Sequence, residues 1–368
     1  MKIPFTPLIE TLPSTVPFVG PELQERTNGF PFRARIGANE NVFGCSPKAK
    51  AAMQAEIDHC WKYTDPGFVN LKQAIATHHN VPEENIVIGE GIDGLLGVAG
   101  RLFVEPGISV ATSLGAYPTF NYQIAGLGGR LVTTPYVDDH ESPDGLLALA
   151  EREQARIIYI ANPDNPMGTW WNADKMNAMI DRLPDQAMLF LDEAYMEFAP
   201  VGTAPEFDLD NPQVLRFRTF SKAYGLAGTR VGYVIGNAAV IKAFDKIRNH
   251  FGMNCFAIQG ANAAMRDQQW LAHVIDEVSA ARKRIAAIAA ENGLTSLESA
   301  TNFVAIDCGR DGDFARAVLA ELSAQGIFVR MPGVAPQDRC IRISAGTKED
   351  LDLFAEYLPV ALKRAVGG

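Results

Sequence analysis

Four short segments of the sequence carry residues that could do chemistry, and each follows a predicted strand. They are residues 89–94 (GEGIDG), 162–168 (NPDNPMG), 192–195 (DEAY) and 221–230 (SKAYGLAGTR). In sheets of mostly parallel strands, ligands bind at the edge where the carboxyl ends of the strands meet. The positions of the segments therefore predict one site that combines a glycine-rich turn, an amide, an acid and a lysine.

The glycine-rich turn at residues 89–94 fits GxGxxG, a fingerprint of dinucleotide-binding folds. A nicotinamide enzyme would also need a carboxylate at the end of the next strand to bind a ribose, but residues 108–115 (ISVATSLG) contain none. A turn that opens a helix can bind any phosphate, because free backbone N–H groups and the helix dipole point towards it. We expect the phosphate of another cofactor here, with a dinucleotide or a plain tight turn as the alternatives.

Lys222 follows the apolar strand 214–220 (VLRFRTF) and precedes a turn of small residues. A lysine at this position is costly to bury unless it has a function, although its amine could also extend to solvent. Arg230 lies eight residues further on and could pair with a phosphate. Thr219 and Ser221 add two hydroxyls at the same edge, so the segment predicts a lysine beside an anion site.

Asp192 ends the predicted strand 187–192 (AMLFLD). A lone carboxylate there could cap a helix or bind a metal. It would also suit pyridoxal 5'-phosphate (PLP), because an acid paired with the pyridine nitrogen keeps the ring protonated and able to absorb negative charge. Tyr195 and Asn165 could then hydrogen-bond the phenolic oxygen of the ring.

Six segments together resemble the class I/II aminotransferases, a family of PLP enzymes of fold type I. They are ANENVFGCSP, YTDPG, NPDNPMGT, DEAYMEF, TFSKAYGLAGTRVGY and IRISAGTKED, and they extend over nearly the whole chain from about residue 30. The histidinol-phosphate aminotransferases are the most similar group. The resemblance implies a PLP-dependent transaminase that moves an amino group between a small donor, such as histidinol phosphate or an amino acid, and a 2-oxo acid.

The resemblance also implies a role for each matching residue. Lys222 would carry PLP as a Schiff base and shuttle protons, and Asp192 would pair with the ring nitrogen. Tyr195 would bond the ring hydroxyl together with Asn165. The other cofactor contacts of the same chain would come from Gly91, Ile92, Asp93, Tyr117, Thr219, Ser221 and Arg230. Tyr63 would reach the phosphate in the neighbouring subunit of a homodimer. Three residues would bind the substrate: Asn39, Arg330 and Arg342.

Several positions depart from the family pattern, mostly beside the expected substrate. Val42 replaces the usual proline, Gly94 replaces a polar or acidic residue, residues 115–117 read Gly-Ala-Tyr instead of Pro-Thr-Tyr, and residues 249–254 lack their usual proline. Arg330 favours a doubly anionic or phosphate-bearing substrate. The amino donor is therefore left open.

Three other functions remain possible at this point. A PLP-dependent decarboxylase of an amino-acid phosphate would use a similar fold and nearly the same cofactor site. A nicotinamide oxidoreductase would depend on residues 89–94, where the missing ribose carboxylate counts against it. A non-catalytic PLP-binding regulator would usually carry a basic DNA-binding segment, and the N-terminal region has none.

The elements that position these residues are typical of an α/β fold. Short apolar strands alternate with helices, which predicts a mostly parallel, seven-stranded sheet between helices in a PLP-dependent transferase fold. The predicted strands are residues 85–89, 109–112, 130–134, 155–161, 187–192, 214–219 and 232–235. Helices are expected at residues 20–27, after Ser46-Pro47, and at 69–79, 91–103, 117–125 and 172–182.

After about residue 265 the pattern changes to long helices, which predicts a smaller α+β domain at the C-terminus. It would contain helices at 268–292 and 313–325, strands at 302–307 and 340–344, and a last helix that begins with the capping box Thr347–Asp350. We expect an arm at 1–35 that packs with the small domain, a large PLP-binding domain at 36–264, and the small domain at 265–368.

The composition narrows the class of protein. Hydrophobic residues make up 47% and charged residues 21%, which is typical of a globular chain. The net charge of −10 does not attract nucleic acid or an anionic membrane. Five cysteines without a CxxC motif suggest neither a disulfide framework nor a metal site. No secretory signal or membrane-spanning stretch is evident, so we expect a cytoplasmic enzyme.

Overall fold

The computed structural model describes residues 3–15 and 18–367 of the 368-residue chain. Residues 1, 2, 16 and 17 of the predicted arm and residue 368 of the predicted small domain lie outside this part. The strands are β1 (Ala34–Arg35), β2 (Ile86–Gly89), β3 (Ser109–Ser113), β4 (Arg130–Thr134), β5 (Ile157–Ala161), β6 (Met188–Asp192), β7 (Val214–Thr219), β8 (Gly232–Gly236), β9 (Thr295–Ser296), β10 (Phe303–Asp307), β11 (Ile327–Phe328) and β12 (Cys340–Ser344). The α-helices are α1 (Pro7–Thr11), α2 (Pro21–Asn28), α3 (Pro47–Ala55), α4 (Val69–His79), α5 (Gly91–Phe103), α6 (Pro118–Gly126), α7 (Pro143–Glu153), α8 (Ala173–Ile180), α9 (Ala238–Ala243), α10 (Cys255–Arg266), α11 (Gln268–Glu291), α12 (Gly312–Ala324) and α13 (Lys348–Gly367).

Seven strands form one sheet in the order β2-β8-β7-β6-β5-β3-β4. β8 is antiparallel to both of its neighbours, and the other pairs are parallel. Every residue of β3, β5, β6 and β7 is buried, as expected for strands that helices cover on both faces. The predicted α/β class with a mostly parallel, seven-stranded sheet is confirmed.

Helices cover the two faces of this sheet. On one face, α5 and α6 pack through an apolar cluster that contains Leu96, Phe120 and Phe190. On the other face, α7 and α8 pack through Leu146 and Met176. Because successive side chains of a strand point to opposite faces, the continuous apolar runs of the strands fill both clusters.

The topology brings the predicted site segments to one edge of the sheet. Gly232 at the start of β8 pairs with Gly89 at the end of β2 and with Thr219 at the end of β7. Ala161 at the end of β5 pairs with Asp192 at the end of β6. The turns that follow β2, β5, β6 and β7 and the turn that precedes β8 therefore open towards the same space.

Four α-helices, α1, α7, α9 and α10, were not predicted. The two longest of them are α7 and α10. Each begins with a residue that caps it: Ser142 Oγ accepts from the backbone N–H of Gly145 at 3.1 Å, and Asn254 Oδ1 accepts from that of Ala257 at 2.8 Å. Serine and asparagine are preferred at this position, so a signal for both helix starts was present in the sequence. α10 packs against α3 and α4.

A second, antiparallel sheet has the order β12-β10-β9 and lies among α11, α12 and α13. The last helix begins as expected. Thr347 Oγ1 accepts from the backbone N–H of Asp350 at 3.2 Å, and Asp350 Oδ2 accepts from that of Thr347 at 2.9 Å. These reciprocal bonds satisfy backbone donors that the first turn of a helix leaves free.

The N-terminal segment runs along the second sheet and its helices. β1 pairs in parallel with β11, and Arg33 Nη1 donates a hydrogen bond to Tyr357 Oη of α13 at 3.2 Å. Arg35 forms salt bridges with Glu22 and Glu25 of α2 at 2.8 and 2.7 Å. These contacts agree with an arm that packs with the small domain, and the domain boundaries stay a prediction. In the described part of the chain, no helix combines the length and the apolar character needed to cross a membrane.

Candidate active site

A cavity of about 850 Å³ lies at the carboxyl edge of the large sheet. The turns after β2, β5, β6 and β7 form one side of it, and residues 330–334 and Arg342 on β12 contribute to the other. The predicted site residues that line it are Asn39, Ile92, Asp93, Tyr117, Asn165, Asp192, Tyr195, Thr219, Ser221, Lys222, Arg230, Arg330 and Arg342. The structure thus brings together most of the residues that the sequence singled out.

Lys222 reaches the cavity from the turn after β7. Its Nζ donates a hydrogen bond to the backbone oxygen of Asn39, 3.0 Å away. Burial, followed by the positive charge of Arg342, lowers the pKa of Lys222 to about 8. An amine with this pKa is roughly one tenth uncharged at pH 7, a few hundred times more than an ordinary lysine. Lys222 can therefore act as a nucleophile or a base near neutral pH.

Asp192 is a buried acid at the end of β6. Its Oδ2 accepts from Tyr159 Oη at 2.7 Å, and its Oδ1 accepts from the backbone N–H of Ala194 at 3.0 Å. Burial raises the pKa of Asp192 to about 6, although both hydrogen bonds oppose the rise. Tyr159 is held by the ring of Phe120, which stacks on it with the ring centres 4.1 Å apart. At neutral pH the site therefore presents a carboxylate that can pair with a cationic group.

Tyr195 follows β6 and is almost fully buried. Its Oη accepts from Asn39 Nδ2 at 3.0 Å and from Asn165 Nδ2 at 3.5 Å. Burial raises the pKa of Tyr195 to about 12, so the hydroxyl keeps its proton at neutral pH. The residue can act as a neutral hydrogen-bond donor in the cavity.

The turn between β2 and α5 forms an anion site with the end of β7. Gly91 has φ +73°, and a Cβ there would lie 2.7 Å from Arg230 Nη2. A Cβ on Gly232 would lie 2.9 Å from the backbone of Gly91, so side chains at either glycine would collide with the parts of this site. Ser221 Oγ accepts from Arg230 Nη1 at 3.4 Å and from Thr219 Oγ1 at 3.0 Å. A guanidinium, two hydroxyls and the N-terminus of α5 together suit a phosphate.

Asp93 links the anion site to an aromatic ring. Its Oδ1 accepts from Tyr117 Oη at 2.9 Å, and its Oδ2 accepts from Arg230 Nη2 at 3.3 Å. Burial, and then the charge of Asp93, raises the pKa of Tyr117. Asp93 therefore orients one neutral tyrosine and one arginine at the wall of the cavity.

Two arginines face the cavity from the small-domain side, and backbone hydrogen bonds connect them. Arg342 Nη1 donates to Asn165 Oδ1 at 2.6 Å, and burial lowers the pKa of Arg342. Arg330 lies with its guanidinium 4.0 Å from the ring centre of Phe18 and donates to the backbone oxygen of Val19. The Nε atoms of both arginines have no hydrogen-bond partner in the described part of the chain. The pair is therefore suited to anionic groups of a ligand.

Tyr63 is not brought to the cavity of its own chain. Its side chain is 82% exposed, and its ring lies 4.9 Å from that of Phe251. Gly91 also does not line the cavity. It lies against the guanidinium of Arg230, where a Cβ would come within 2.7 Å of Nη2.

The sequence did not single out every residue of the site, and three of those it did not indicate contact predicted site residues directly. Tyr159 bonds Asp192, Ser344 Oγ accepts from the backbone N–H of Asn39 at 2.9 Å, and Phe18 covers Arg330. The tyrosine stands within an apolar strand, which was a weak signal of a polar role. Phe18 belongs to the arm and has no local pattern that could have indicated its place.

Comparison with known proteins gives one consistent family. The family described as aminotransferase class I and II matches residues 35–358. The solved structure of histidinol-phosphate aminotransferase from Sinorhizobium meliloti in complex with PLP has a TM-score of 0.96, 52% sequence identity and 99% coverage of both chains. Histidinol-phosphate aminotransferase of Geobacillus sp. (strain WCH70) is 31% identical over 96% of each chain. Histidinol-phosphate aminotransferase 2 of Ralstonia nicotianae is 33% identical over 99% of each chain.

These matches extend over nearly all of the sequence, and the family match at residues 35–358 includes every residue that lines the cavity except Phe18. They confirm the predicted resemblance to the class I/II aminotransferases and the predicted enzyme class, a PLP-dependent transaminase. They do not support the nicotinamide oxidoreductase. The chain belongs to the aminotransferase class I and II family.

Proposed function

We propose that this chain is a PLP-dependent aminotransferase that moves an amino group from a small, phosphate-bearing donor of the histidinol phosphate type to a 2-oxo acid. The observation that supports the proposal most is the placement of Lys222, Asp192 and the anion site at Arg230 around one cavity. The similarity to a histidinol-phosphate aminotransferase that binds PLP, at 52% identity, supports the same reaction.

The residues of the cavity fit PLP. The anion site would hold the phosphate, where Gly91 and Gly232 leave the space that a Cβ would fill. Asp192 would hold the ring nitrogen protonated, and the hydroxyl of Tyr195 would donate to the phenolic oxygen. When bound, PLP withdraws electrons from the Cα of an amino substrate, which makes its proton removable.

Lys222 would provide the base for that proton. Its lowered pKa leaves part of the amine uncharged at neutral pH, and the hydrogen bond to Asn39 orients Nζ towards the cavity. The same amine, once protonated, can return the proton to a neighbouring carbon. A single positioned group thus moves a proton in both directions, as general acid–base catalysis requires.

Arg342 and Arg330 would select the substrate. Each carries an Nε donor without a partner in the described residues, and two separate cations suit a substrate with a phosphate or with two carboxylates. A phosphorylated donor and a dicarboxylic 2-oxo acid would meet the same two cations in turn. Asn39 would complete this side of the cavity.

The proposal predicts that histidinol phosphate converts bound PLP to its pyridoxamine form faster than histidinol does. Arg330→Gln should raise the KM for the phosphorylated donor by about 10- to 100-fold, because a charged hydrogen bond is worth roughly 1.5–3 kcal/mol, and should change the KM for histidinol less than about twofold. Stopped-flow absorbance over a panel of donors measures both values.

Arg310→Gln is the matched control, since Arg310 also lies against a phenylalanine, 4.7 Å from the ring of Phe314, but outside the cavity. Equal rates for phosphorylated and unphosphorylated donors would contradict the proposed substrate. Release of labelled carbon dioxide from a carboxyl-labelled donor would favour the decarboxylase alternative instead.

The proposal includes a homodimer in which Tyr63 reaches the site of the neighbouring subunit. Tyr63 and Trp61 are 82% and 81% exposed, and Val69 and Phe251 are more than half exposed. The rings of Tyr63 and Phe251 lie together, 4.9 Å apart, and exposed apolar side chains in contact are typical of an interface. We also propose a cytoplasmic location, which agrees with the free cysteines of the chain.

Mixed dimers test the role of Tyr63. A dimer of one Lys222→Ala chain and one Tyr63→Ala chain should regain one complete site, with about half of the wild-type activity at limiting PLP, because both changes fall in the other site. Activity of co-expressed, doubly tagged heterodimers measures this. A heterodimer no more active at limiting PLP than its parent homodimers, or a monomer in sedimentation, would overturn this part of the proposal.

A further inference from the structure

Ser344 connects the strand that carries Arg342 to the lysine side of the cavity. The two residues are separated by one position on β12, so their side chains point to the same face, and Ser344 is only 3% exposed. Ser344 Oγ accepts from the backbone N–H of Asn39 at 2.9 Å and donates to Asn39 Oδ1 at 3.1 Å. Asn39 has φ +55°, a left-handed conformation that asparagine adopts more readily than most other residues with a side chain.

The contacts with Ser344 determine which way the side-chain amide of Asn39 faces. The hydroxyl has one proton, and because its oxygen already accepts the backbone N–H, that proton is free for the amide. The amide accepts this proton by turning its oxygen to Ser344. Its nitrogen then faces Tyr195, and Nδ2 donates to Tyr195 Oη at 3.0 Å. The orientation of an amide is assigned from such partners, and here both ends agree.

This orientation decides how Tyr195 uses its own proton. Tyr195 Oη accepts from Asn39 and, at the longer distance of 3.5 Å, from Asn165. Among residues 3–15 and 18–367 no acceptor for the proton of Tyr195 is present, so the hydroxyl can donate only into the cavity that it lines. A reversed amide would offer its oxygen to Tyr195 and would draw that proton away from the cavity.

Asn39 also contacts the lysine. Its backbone oxygen accepts from Lys222 Nζ at 3.0 Å and from Asn302 Nδ2 at 3.0 Å. The same residue therefore touches the amine of Lys222 and the hydroxyl of Tyr195, and Ser344 holds both its amide and its backbone. A change at Ser344 should reach the cofactor site without removing any group that lines it.

We propose that Ser344 is a positioning residue that acts through Asn39 to keep Tyr195 a hydrogen-bond donor towards the cofactor. This inference rests on the proposed function, because the acceptor of the proton would be the phenolic oxygen of PLP. Ser344 touches neither cofactor nor substrate in this role. It holds the side-chain amide of Asn39 in one orientation, and that amide in turn orients the hydroxyl of Tyr195.

The test is a pH titration of the visible absorption of the PLP-bound enzyme without substrate. Ser344→Ala should raise the midpoint by roughly half a unit to one unit, in the same direction as Tyr195→Phe. The reason is that a phenolic oxygen with less stabilisation of its negative charge holds the nearby proton on the Lys222 nitrogen more strongly. The double variant should shift no further than Tyr195→Phe alone, because both changes remove the same donor.

Two variants serve as controls. Ser344→Thr keeps the hydroxyl and should return the midpoint towards the wild-type value. Ser299→Ala removes a hydroxyl of the same domain that donates to the backbone oxygen of Phe303 and does not contact Asn39, so it should leave the midpoint unchanged. If Ser344→Ala does not fold, Ser344→Cys keeps the volume with a much weaker donor and should show the same upward shift.

A folded, PLP-bound Ser344 variant with the wild-type midpoint would overturn the inference, and so would a shift that adds to that of Tyr195→Phe. A wild-type protein without the visible absorption of PLP would contradict the proposed function itself, and the inference with it. A wild-type protein with this absorption, together with an unchanged midpoint in the variant, would contradict the role of Ser344 alone.

Discussion

Lys222→Ala should abolish transamination, with kcat lowered by at least about 10³-fold, because the change removes both the nucleophile and the general base of the proposed reaction. The purified variant should also lose the visible absorption that PLP shows when it is bound to a lysine. Steady-state assays and absorption spectra measure the two effects. Their joint loss is the signature of a lysine with both roles, since a base alone could be removed without loss of the absorption.

The stability of the cofactor-free variant separates chemistry from folding. Because burial lowers the pKa of Lys222 to about 8, the unfolded chain binds this proton more tightly. The resulting loss of stability is complete below about pH 8 and disappears as the pH rises from there to the ordinary pKa of lysine. Lys222→Ala should therefore melt no lower than the wild type at pH 7. A variant that is inactive only because it unfolds would not meet this expectation.

Lys72→Ala is the matched control for Lys222. Lys72 is half-buried in α4, burial also lowers its pKa, and it does not line the cavity. Its replacement should leave the absorption and kcat within about twofold of wild type. Addition of a small primary amine should partly restore the activity of Lys222→Ala but should do nothing for the control. Unchanged visible absorption in Lys222→Ala would rule out this lysine as the attachment point.

Much of the large sheet could be predicted because its strands are short apolar runs with turn residues at both ends. β4 and β7 have the predicted bounds, residues 130–134 and 214–219. The antiparallel position of β8 between β2 and β7 could not be predicted. The local pattern of a buried strand is the same in both directions, and strand order depends on contacts between distant parts of the chain.

The residues of the site also differ in whether their role can be predicted from neighbours in the sequence or depends on distant parts of the chain. Lys222, Asp192 and Arg230 were identified because each follows a strand end with a recognisable neighbourhood. Tyr159, in the middle of β5, and Ser344, the last residue of β12, were not. Each acquires its role from a distant residue, 33 positions away for Tyr159 and 305 positions away for Ser344. Such partners become visible only when the strands are in place, which is why supporting residues of a site are harder to predict than the groups they support.

Asp192→Asn should lower kcat/KM by roughly 10²- to 10⁴-fold, because removal of one member of a buried charge pair costs about 3–5 kcal/mol. The amide has nearly the same shape but no charge to keep the ring nitrogen of PLP protonated. Burial raises the pKa of Asp192 to about 6, so ionisation costs the folded, cofactor-free protein stability at neutral pH. The variant should therefore keep the melting temperature of the cofactor-free wild type while losing activity.

Tyr159→Phe gives a graded version of the same experiment, because it removes a hydrogen bond to Asp192 and leaves the carboxyl in place. The lost donor stabilised the ionised form, so the pKa of Asp192 should rise above about 6 by roughly half a unit to one unit. PLP binding by the cofactor-free protein weakens at low pH, as Asp192 takes up its proton. In a plot of PLP affinity against pH, this acid limb should move to higher pH in Tyr159→Phe, and the affinity should equal that of the wild type near pH 8. Tyr233→Phe is the control, since that hydroxyl bonds His79 at 2.7 Å and not Asp192. A limb that moves equally in both variants, or that persists in Asp192→Asn, would mean that another group controls the binding.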